Sequence, residues 1–357
     1  MKRHVSFIAL ILVLVFTFTA CAPAPTQTNS AATTVVTKTP AEATKAMEAD
    51  AATPAELATF IDFDGNEVTT VINPKTVAIY DYAILDMLES IGFAKTGITT
   101  LVVPAKDSLP TELVFYKDQP DDVVITGGTL FYIDMDVLDL VQPELVILGS
   151  RSFGTNADGD RLSSEEVAEM KVAYAERYAG TAFAKLSVSA ADSSLLSDME
   201  RNVDARKVIF PVIAADLQAK LDSVKADMAA IAQKAEESKA RALFAMMVDQ
   251  TSLSIFMPNS RFDMLYEEFG FASVDDAAVE WDDQHGFDVR AEYVLEKNPD
   301  VIFLLDRSAT VGSGAGAENF LSDPIIQRTT AAKEGHIYVL HGAAWYTMTG
   351  ALRPRKR

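Results

Sequence analysis

A ten-residue unit occurs twice in this chain, and its repetition limits the fold more than any other feature of the sequence. The first copy is Gln142-Pro-Glu-Leu-Val-Ile-Leu-Gly-Ser-Arg151, and the second is Asn298-Pro-Asp-Val-Ile-Phe-Leu-Leu-Asp-Arg307. Each copy follows a helical stretch, over 136–141 or 291–297, which the proline ends. The unit therefore reads as a helix, a buried strand and an arginine at the carboxyl end of that strand. Because the two arginines lie 156 residues apart, about one domain length, the repeat predicts two similar lobes.

Short apolar runs alternate with helical patterns along the rest of the chain, which predicts an α/β fold. Ligands of open α/β sheets bind beyond the carboxyl ends of the strands, so two facing lobes would form a cleft with Arg151 and Arg307 on its walls. Taken singly, each arginine is more often a surface residue at a strand end, and Arg307 also has Asp306 as a local partner. The expected strands cover residues 77–80, 101–103, 123–125, 145–148, 242–248, 301–305 and 337–340.

The pattern of helices divides the chain into domains. Residues 193–211 read as a long helix between the lobes, stopped by Pro211. This places an N-terminal lobe at 57–192 and a C-terminal lobe at 212–357. A further amphipathic helix, with apolar residues spaced by four and three over 217–231, is expected to pack into a core, with a partner-binding coiled coil as the alternative.

The first 56 residues carry features of export rather than of a fold. Lys2 and Arg3 precede an apolar run that is short for a membrane span, and Phe18-Thr19-Ala20-Cys21 looks like the lipobox of a bacterial lipoprotein signal. That resemblance implies cleavage after residue 20 and lipid, palmitate included, on Cys21; a plain signal peptide or an uncleaved anchor is the alternative. Residues 21–56 lack an aromatic side chain and are rich in Ala, Thr and Pro, which predicts a flexible tether.

Charge and residue counts exclude several classes of function. The 31 Lys and Arg against 51 Asp and Glu give a net charge of −20, which argues against nucleic acid as a partner. One Cys and four His leave little material for a thiolate cluster or a zinc enzyme. Any anionic ligand must therefore meet a few well-placed cations.

Three further residues are candidates for ligand binding. Arg261 follows Ser260, which suits the N-cap of a helix running to Gly270, with Asp263 as a capping-box acid. A cation in the first turn opposes the helix dipole unless an anion binds nearby, although a solvated arginine is the simpler explanation. His285 and Tyr346 carry donor atoms that suit ferric iron, while loop histidines and Trp-Tyr pairs are more often structural.

Taken in order, several segments resemble the ferric-siderophore-binding lipoproteins of ABC importers, of the catecholate type that handles enterobactin-like or petrobactin-like ligands. The resemblance covers roughly residues 60–350. The matching segments are Thr126-Gly127-Gly128 with 138–151, Asn259 to Gly270, Gln284-His285-Gly286, Tyr293 to Arg307, Arg328 to Gly335 and Trp345-Tyr346.

The resemblance implies the helical-backbone class of the periplasmic-binding-protein fold, with two Rossmann-like lobes, a long inter-lobe helix and a shallow cleft. It also implies no intrinsic cofactor and no catalysis, with a ferric siderophore as ligand, an ABC permease as partner, and a monomer anchored outside the cytoplasm by lipid. Arg151, Arg261 and Arg307 would surround the anionic complex, and His285 and Tyr346 would complete the iron coordination. His341 stands where relatives tend to carry an acid and is a substitute donor.

Two alternatives and one departure accompany this interpretation. The same fold could bind haem, cobalamin or another chelate, and a hydrolase using His285 with a nearby carboxylate is the enzymatic alternative. No Gly-x-Ser-x-Gly or phosphate-loop motif supports the enzyme. The resemblance further implies a last helix after the Trp-Tyr segment, whereas this sequence ends shortly after Gly350 in four basic residues among five.

Overall fold

Two main sheets, one in each half of the described chain, organise the fold, and a two-stranded hairpin accompanies the first. The computed structural model describes residues 55–188, 194–275, 286–314 and 316–351. The first half begins with an antiparallel hairpin and continues as a five-stranded parallel sheet in the order β5-β4-β3-β6-β7. Its strands are β1 (Leu57–Ile61), β2 (Glu67–Val71), β3 (Thr76–Tyr80), β4 (Thr100–Val103), β5 (Val124–Thr126), β6 (Leu145–Leu148) and β7 (Ala182–Lys185).

The second half forms a mixed sheet in the order β11-β9-β8-β12-β13, with β10 also paired to β8. Strands β8, β12 and β13 run parallel to one another, while β9 runs antiparallel to both β8 and β11. Strands β3, β6, β8 and β12 are buried over most or all of their length, which is why they read as continuous apolar runs. The strands of this half are β8 (Arg241–Met247), β9 (Leu253–Phe256), β10 (Ala272–Ser273), β11 (Phe287–Val289), β12 (Val301–Asp306) and β13 (Ile337–Val339).

Helices cover the faces of both sheets. Those of the first half are α1 (Tyr82–Ile91), α2 (Val114–Lys117), α3 (Met135–Val141), α4 (Ser164–Arg177) and α5 (Leu195–Ile209). They are followed by α6 (Ala214–Ser238), α7 (Met264–Glu267), α8 (Ala291–Lys297), α9 (Arg307–Thr310), α10 (Ala317–Ser322), α11 (Thr330–Glu334) and a π-helix (Ala343–Thr347). The predicted α/β fold with two lobes and a long helix is confirmed. None of the helices in the described part of the chain combines the length and apolarity needed to span a bilayer.

The helix that links the lobes differs from the one expected at 193–211. The predicted segment forms α5, which packs on the first lobe through Val203 and Ile209 and ends at Ile209, two residues before Pro211. The link is instead α6, whose 25 residues extend over about 38 Å. Leu217 belongs to the core of the first lobe, whereas Ala235 belongs to a core of the second. The apolar stripe of α6 thus packs into a core, and it does so in both lobes in turn.

The chain touches the first lobe a second time near its end. After β13, the π-helix places Ala343 in the core of the first lobe, and Met348 follows it there. In the same segment, the side chains of Trp345 and Tyr346 pack against the core of the second lobe. The π-helix therefore lies where the two lobes meet.

Candidate functional site

Arg151 and Arg307 lie at equivalent places in the two sheets. In the first lobe, β4 and β5 follow β3 on one side of it, and the chain then crosses to β6 on the other side. The connections that leave β3 and β6 therefore run in opposite directions along the sheet. In the second lobe β8 and β12 have the same relationship. Such a switch point opens a crevice at the carboxyl ends of the strands. Arg151 follows β6 and Arg307 follows β12, so each arginine lies at its crevice.

The repeated unit holds these positions by the same contacts in both lobes. Gln142 and Asn298 end α3 and α8 in the left-handed conformation, with φ of 48° and 43°. The acid two residues later accepts a hydrogen bond from the backbone N–H of the first residue in the neighbouring strand: Glu144 from β3 at 3.1 Å, and Asp300 from β8 at 2.9 Å. The sequence repeat is therefore a structural repeat that delivers an arginine to each crevice.

Three arginines converge on Tyr346, the residue of the π-helix that lies between the lobes. Arg151 and Arg261 both donate to its backbone carbonyl, at 2.7 and 3.2 Å. Arg307 donates from Nε to its hydroxyl at 2.9 Å and from a terminal nitrogen to the carbonyl of Val248 at 3.0 Å. The three guanidinium carbons lie 5.3, 4.6 and 5.7 Å from the centre of the tyrosine ring, within range of cation–π attraction.

Electrostatics alter the acidity of these groups. Burial by itself would raise the pKa of the Tyr346 hydroxyl, but the hydrogen bond from Arg307 and the positive charges of all three arginines lower it below its ordinary value. Burial lowers the pKa of Arg261, as does repulsion from Arg151. The arginines therefore make the Tyr346 hydroxyl more acidic than an ordinary phenol, and the site holds cations that repel one another.

The alternative partner of Arg307, the neighbouring Asp306, is occupied elsewhere. Its carboxylate accepts hydrogen bonds from the hydroxyl of Ser308 and from three backbone N–H groups around the start of α9 and α10. Burial would raise the pKa of Asp306, but these bonds outweigh it and hold the pKa below its usual value. Arg307 is thus free to point at Tyr346.

The local structure expected around Arg261 is wrong in its details. Ser260 does not cap a helix, because its buried hydroxyl donates to the carbonyl of Met257 at 2.5 Å. Asp263 instead accepts from the N–H of Asn259 at 2.8 Å, and α7 begins only at Met264. Arg261 therefore lies in a turn ahead of the helix, and the argument from the helix dipole does not apply to it. Gly270 does adopt the left-handed conformation expected after the helix.

A cleft of about 1100 Å³ opens between the lobes beside this cluster. Arg151, Arg307 and Tyr346 line it, whereas Arg261 touches Tyr346 from outside the lining. Its walls from the first lobe are the loops over 105–112 and 129–131, and its walls from the second lobe are 306–312 and 339–347.

A two-glycine turn shapes the 129–131 wall. A side chain at Gly127 would meet Val102 at 2.1 Å and the Tyr80 hydroxyl at 2.7 Å, and Gly128 has φ of 110°. Glycine is therefore required at both positions, because a Cβ atom at 127 would collide with the sheet and one at 128 would lie 2.2 Å from the backbone carbonyl oxygen of Tyr132.

His341 and an unpredicted partner also line the cleft. The Nε2 atom of His341 lies 3.3 Å from a carboxylate oxygen of Glu112, which belongs to the opposite lobe. Sequence analysis missed Glu112 because nothing local distinguishes it from other loop acids. His285 and Cys21 lie outside the described residues. Within those residues, no group of three or more His, Cys, Asp or Glu side chains could hold a metal ion.

Comparisons with known proteins agree with this architecture. Residues 214–344 match the family described as "Periplasmic binding protein". The solved structure of the catecholate-siderophore-binding protein VctP of Vibrio cholerae covers 83% of this chain and 95% of its own, with a TM-score of 0.66 and 24% identity. The fold is that of a periplasmic binding protein.

Similarity extends to the sequence of both lobes. The petrobactin-binding protein YclQ of Bacillus subtilis is 27% identical over 294 residues, 82% of each chain, and its solved structure matches with a TM-score of 0.67. The ferric-anguibactin-binding protein FatB of Vibrio anguillarum is 24% identical over 311 residues, covering 84% of this chain and 85% of its own. The resemblance to siderophore-binding proteins stated from the sequence is confirmed.

Proposed function

We propose that this protein captures an anionic ferric siderophore of the catecholate type outside the cytoplasm and delivers it to an ABC importer. The observation that carries the proposal is the convergence of Arg151, Arg261 and Arg307 on one ring at a cleft between two lobes. The names of similar proteins point to the same class of ligand. Recognition here needs positioned cations and a cleft, and neither implies catalysis.

Charge matching supports a ferric catecholate. A ferric ion bound by three catecholates carries a charge of about −3, which three guanidinium groups balance. Arginine suits this ligand because its planar group both donates to catecholate oxygens and stacks on their rings. At an effective dielectric constant of ~20, each ion pair at about 4 Å contributes a Coulomb energy of about 4 kcal/mol before desolvation. A surplus from three such contacts suffices for sub-micromolar affinity.

Direct iron coordination forms a second part of the proposal. Where a siderophore leaves two positions of the ferric ion open, Tyr346 and His285 supply the missing donors. Support for Tyr346 comes from its place in the cleft and from the arginines that lower the pKa of its hydroxyl, since ferric iron prefers the phenolate. His285 is included because of its position in the sequence pattern. His341, which lines the cleft, is the substitute iron donor.

The location and partners of the protein complete the proposal. Lipid on Cys21 anchors the chain to the membrane, and the tether over 21–56 holds the lobes away from it. The protein acts as a monomer that presents its loaded cleft to an ABC permease. Globomycin, which blocks lipoprotein signal cleavage, should leave the unprocessed chain in cells; identical electrophoretic mobility with and without it would contradict the lipoprotein assignment.

Fluorescence titration of the purified chain tests the ligand. Because Trp345 adjoins Tyr346, an absorbing ferric catecholate in the cleft should quench tryptophan emission with sub-micromolar affinity. Arg307→Gln should weaken binding about 10- to 100-fold, the range for one charge-assisted contact. Arg328→Gln is the matched control, because Arg328 is exposed and is not among the described residues that line the cleft. Quenching by haem or cobalamin but by no ferric catecholate would show that the protein binds a different class of chelate. The absence of binding to any of these ligands would refute the proposal.

A further inference from the structure

The cleft also carries an exposed aromatic ring that the arginine cluster does not account for. Phe131 lies in the 129–131 wall and is 44% exposed, although phenylalanine is among the residues that folded proteins most often bury. Every other phenylalanine, tyrosine and tryptophan that the structure describes is buried or only partly exposed. The one fully open aromatic ring of the described chain therefore lies in the wall of the proposed binding site.

The backbone around Phe131 holds the ring in this place. The N–H of Phe131 donates to the hydroxyl oxygen of Thr129 at 3.2 Å, and its carbonyl accepts from the N–H of Thr155 at 3.3 Å. The ring adjoins Gly154, where an added Cβ atom would lie 3.0 Å from it. The N–H of Gly154 in turn donates to the carbonyl of Arg151 at 3.1 Å. The ring is therefore fixed against the same turn that carries Arg151.

The second lobe repeats this pairing with a smaller side chain. Val311 lines the opposite wall of the cleft and is 45% exposed. Its N–H donates to the carbonyl of Arg307 at 3.0 Å, so one helical turn carries both residues. Among the large apolar side chains that the described chain exposes, Phe131 and Val311 are the two that line the cleft. Each wall thus places an apolar surface close to an arginine.

Walls with two kinds of contact suit a ligand with two kinds of surface. The guanidinium charges attract any compact trianion, whether or not it is aromatic. An exposed apolar ring gains free energy only against another apolar surface, and it gains more against an aromatic ring in offset or edge-to-face geometry. Resting on the proposed function, we propose that Phe131 packs on an aryl ring of the bound siderophore and so selects aromatic chelates over non-aromatic chelates of equal charge.

Two metal complexes that differ in aromaticity but not in charge test this selection. Chromium(III) tris-catecholate and chromium(III) tris-oxalate carry the same net charge and the same number of oxygen donors, and chromium(III) exchanges its donors so slowly that the protein meets each complex intact. Calorimetric titration in oxygen-free buffer measures both affinities. The wild-type chain should bind the tris-catecholate more tightly. Phe131→Leu should weaken the tris-catecholate complex about 3- to 10-fold, the range for one aromatic pair, and leave the tris-oxalate complex unchanged.

Three further variants separate the ring from charge and from loop structure. Phe131→Tyr keeps a ring and should keep the affinity for the tris-catecholate. Phe63→Leu removes a partly exposed ring that is not among the described residues lining the cleft, and it should change neither affinity. Arg307→Gln should weaken both complexes, because it removes a charge rather than an apolar surface.

Equal weakening of both complexes by Phe131→Leu would overturn the inference and assign Phe131 to the shape of the loop. An unchanged tris-catecholate affinity in Phe131→Leu, or equal affinities of the wild-type chain for the two complexes, would also overturn it, while the proposed function would stand. If the tris-oxalate binds neither chain, a loss of tris-catecholate affinity in Phe131→Leu alone supports the ring contact, and an equal loss in Phe131→Tyr overturns it. Failure of the wild-type chain to bind the tris-catecholate would refute the proposed function itself.

Discussion

Neutralising Arg261 should weaken ligand binding without weakening the unliganded protein. The guanidinium carbons of Arg261 and Arg151 lie 4.6 and 5.3 Å from the same ring centre, so they are at most ~10 Å apart. Arg307, at 5.7 Å, is similarly close. At a dielectric constant of ~20, each such pair repels by about 1.7 kcal/mol, and screening around the half-exposed Arg151 and Arg307 leaves a total of roughly 1–2 kcal/mol.

Arg261→Gln removes this repulsion together with some attractive contacts. The hydrogen bond to the Tyr346 carbonyl and the contact with its ring are together worth about 1–2 kcal/mol. The two effects offset each other, so the free energy of unfolding should change by less than about 1 kcal/mol. Loss of one partner from an ordinary buried ion pair costs 3–5 kcal/mol by comparison. Affinity for a ferric tris-catecholate should fall about 10-fold, because one positive charge beside the cleft is lost.

Urea unfolding at several salt concentrations, followed by circular dichroism, measures the free energy of unfolding. Fluorescence titration measures the affinity for the ferric tris-catecholate. Salt screens the mutual repulsion of the arginines, so the unfolding midpoint of the wild type should rise with salt more than that of Arg261→Gln. Arg328→Gln serves as the control for loss of one positive charge. A drop of 3 kcal/mol or more in the unliganded variant, with normal affinity, would show that Arg261 has a structural role and would refute the reasoning.

Three further predictions concern single positions. Coordination by the Tyr346 phenolate should add a visible absorption band when a tetradentate ferric catecholate binds, and Tyr346→Phe should abolish that band. A variant spectrum identical to that of the wild type would exclude phenolate coordination. Gly127→Ala should destabilise the first lobe by about 1–3 kcal/mol through overpacking, whereas Gly180→Ala, where nothing lies within 4 Å, should not lower the melting temperature. Hydrogen bonds from Thr251 and Ser252 lower the pKa of Asp249 to about 2. Asp249→Ala should therefore lower the unfolding midpoint at pH 7, and the difference should shrink as pH falls from 4 towards 2, because protonation removes the same stabilisation from the wild type; a difference independent of pH would contradict this.

Much of the fold was predictable because its central strands are buried on both faces. Strands such as β6 and β12 carry an unbroken apolar run, and the proline-led repeat fixes where each one starts. The seven strands predicted from such runs are all present, to within a residue or two at their ends. The same repeat placed Arg151 and Arg307 at the carboxyl ends of strands, where α/β folds bind their ligands.

Other elements were missed because their signals are weak or non-local. The hairpin β1–β2 alternates buried and exposed residues over strands of only five residues, and β9 is interrupted by Ser254, whose hydroxyl is satisfied by Asp288 on β11. The sequence predicts α5 as the linking helix, whereas the structure has α6 in that role, because the sequence does not show which core each helix contacts. Arg261 and Glu112 lie in loops whose neighbours, Tyr346 and His341, are distant in sequence. Such contacts depend on tertiary packing rather than on local pattern.

The site resolves an apparent conflict between a net charge of −20 and an anionic ligand. Charges on the outer surface are screened over about 8 Å in physiological salt, so most of the acidic residues act little on a ligand already in the cleft. The arginines act at contact distance, and the acceptors of their hydrogen bonds are the carbonyls of Tyr346 and Val248 and a phenol, rather than carboxylates. Neutral acceptors orient the guanidinium groups without cancelling their charge. Their mutual repulsion is then relieved only when an anion enters, so part of the binding energy is already present in the empty site. Acids placed beside the arginines would have removed this energy by cancelling their charge in the empty site.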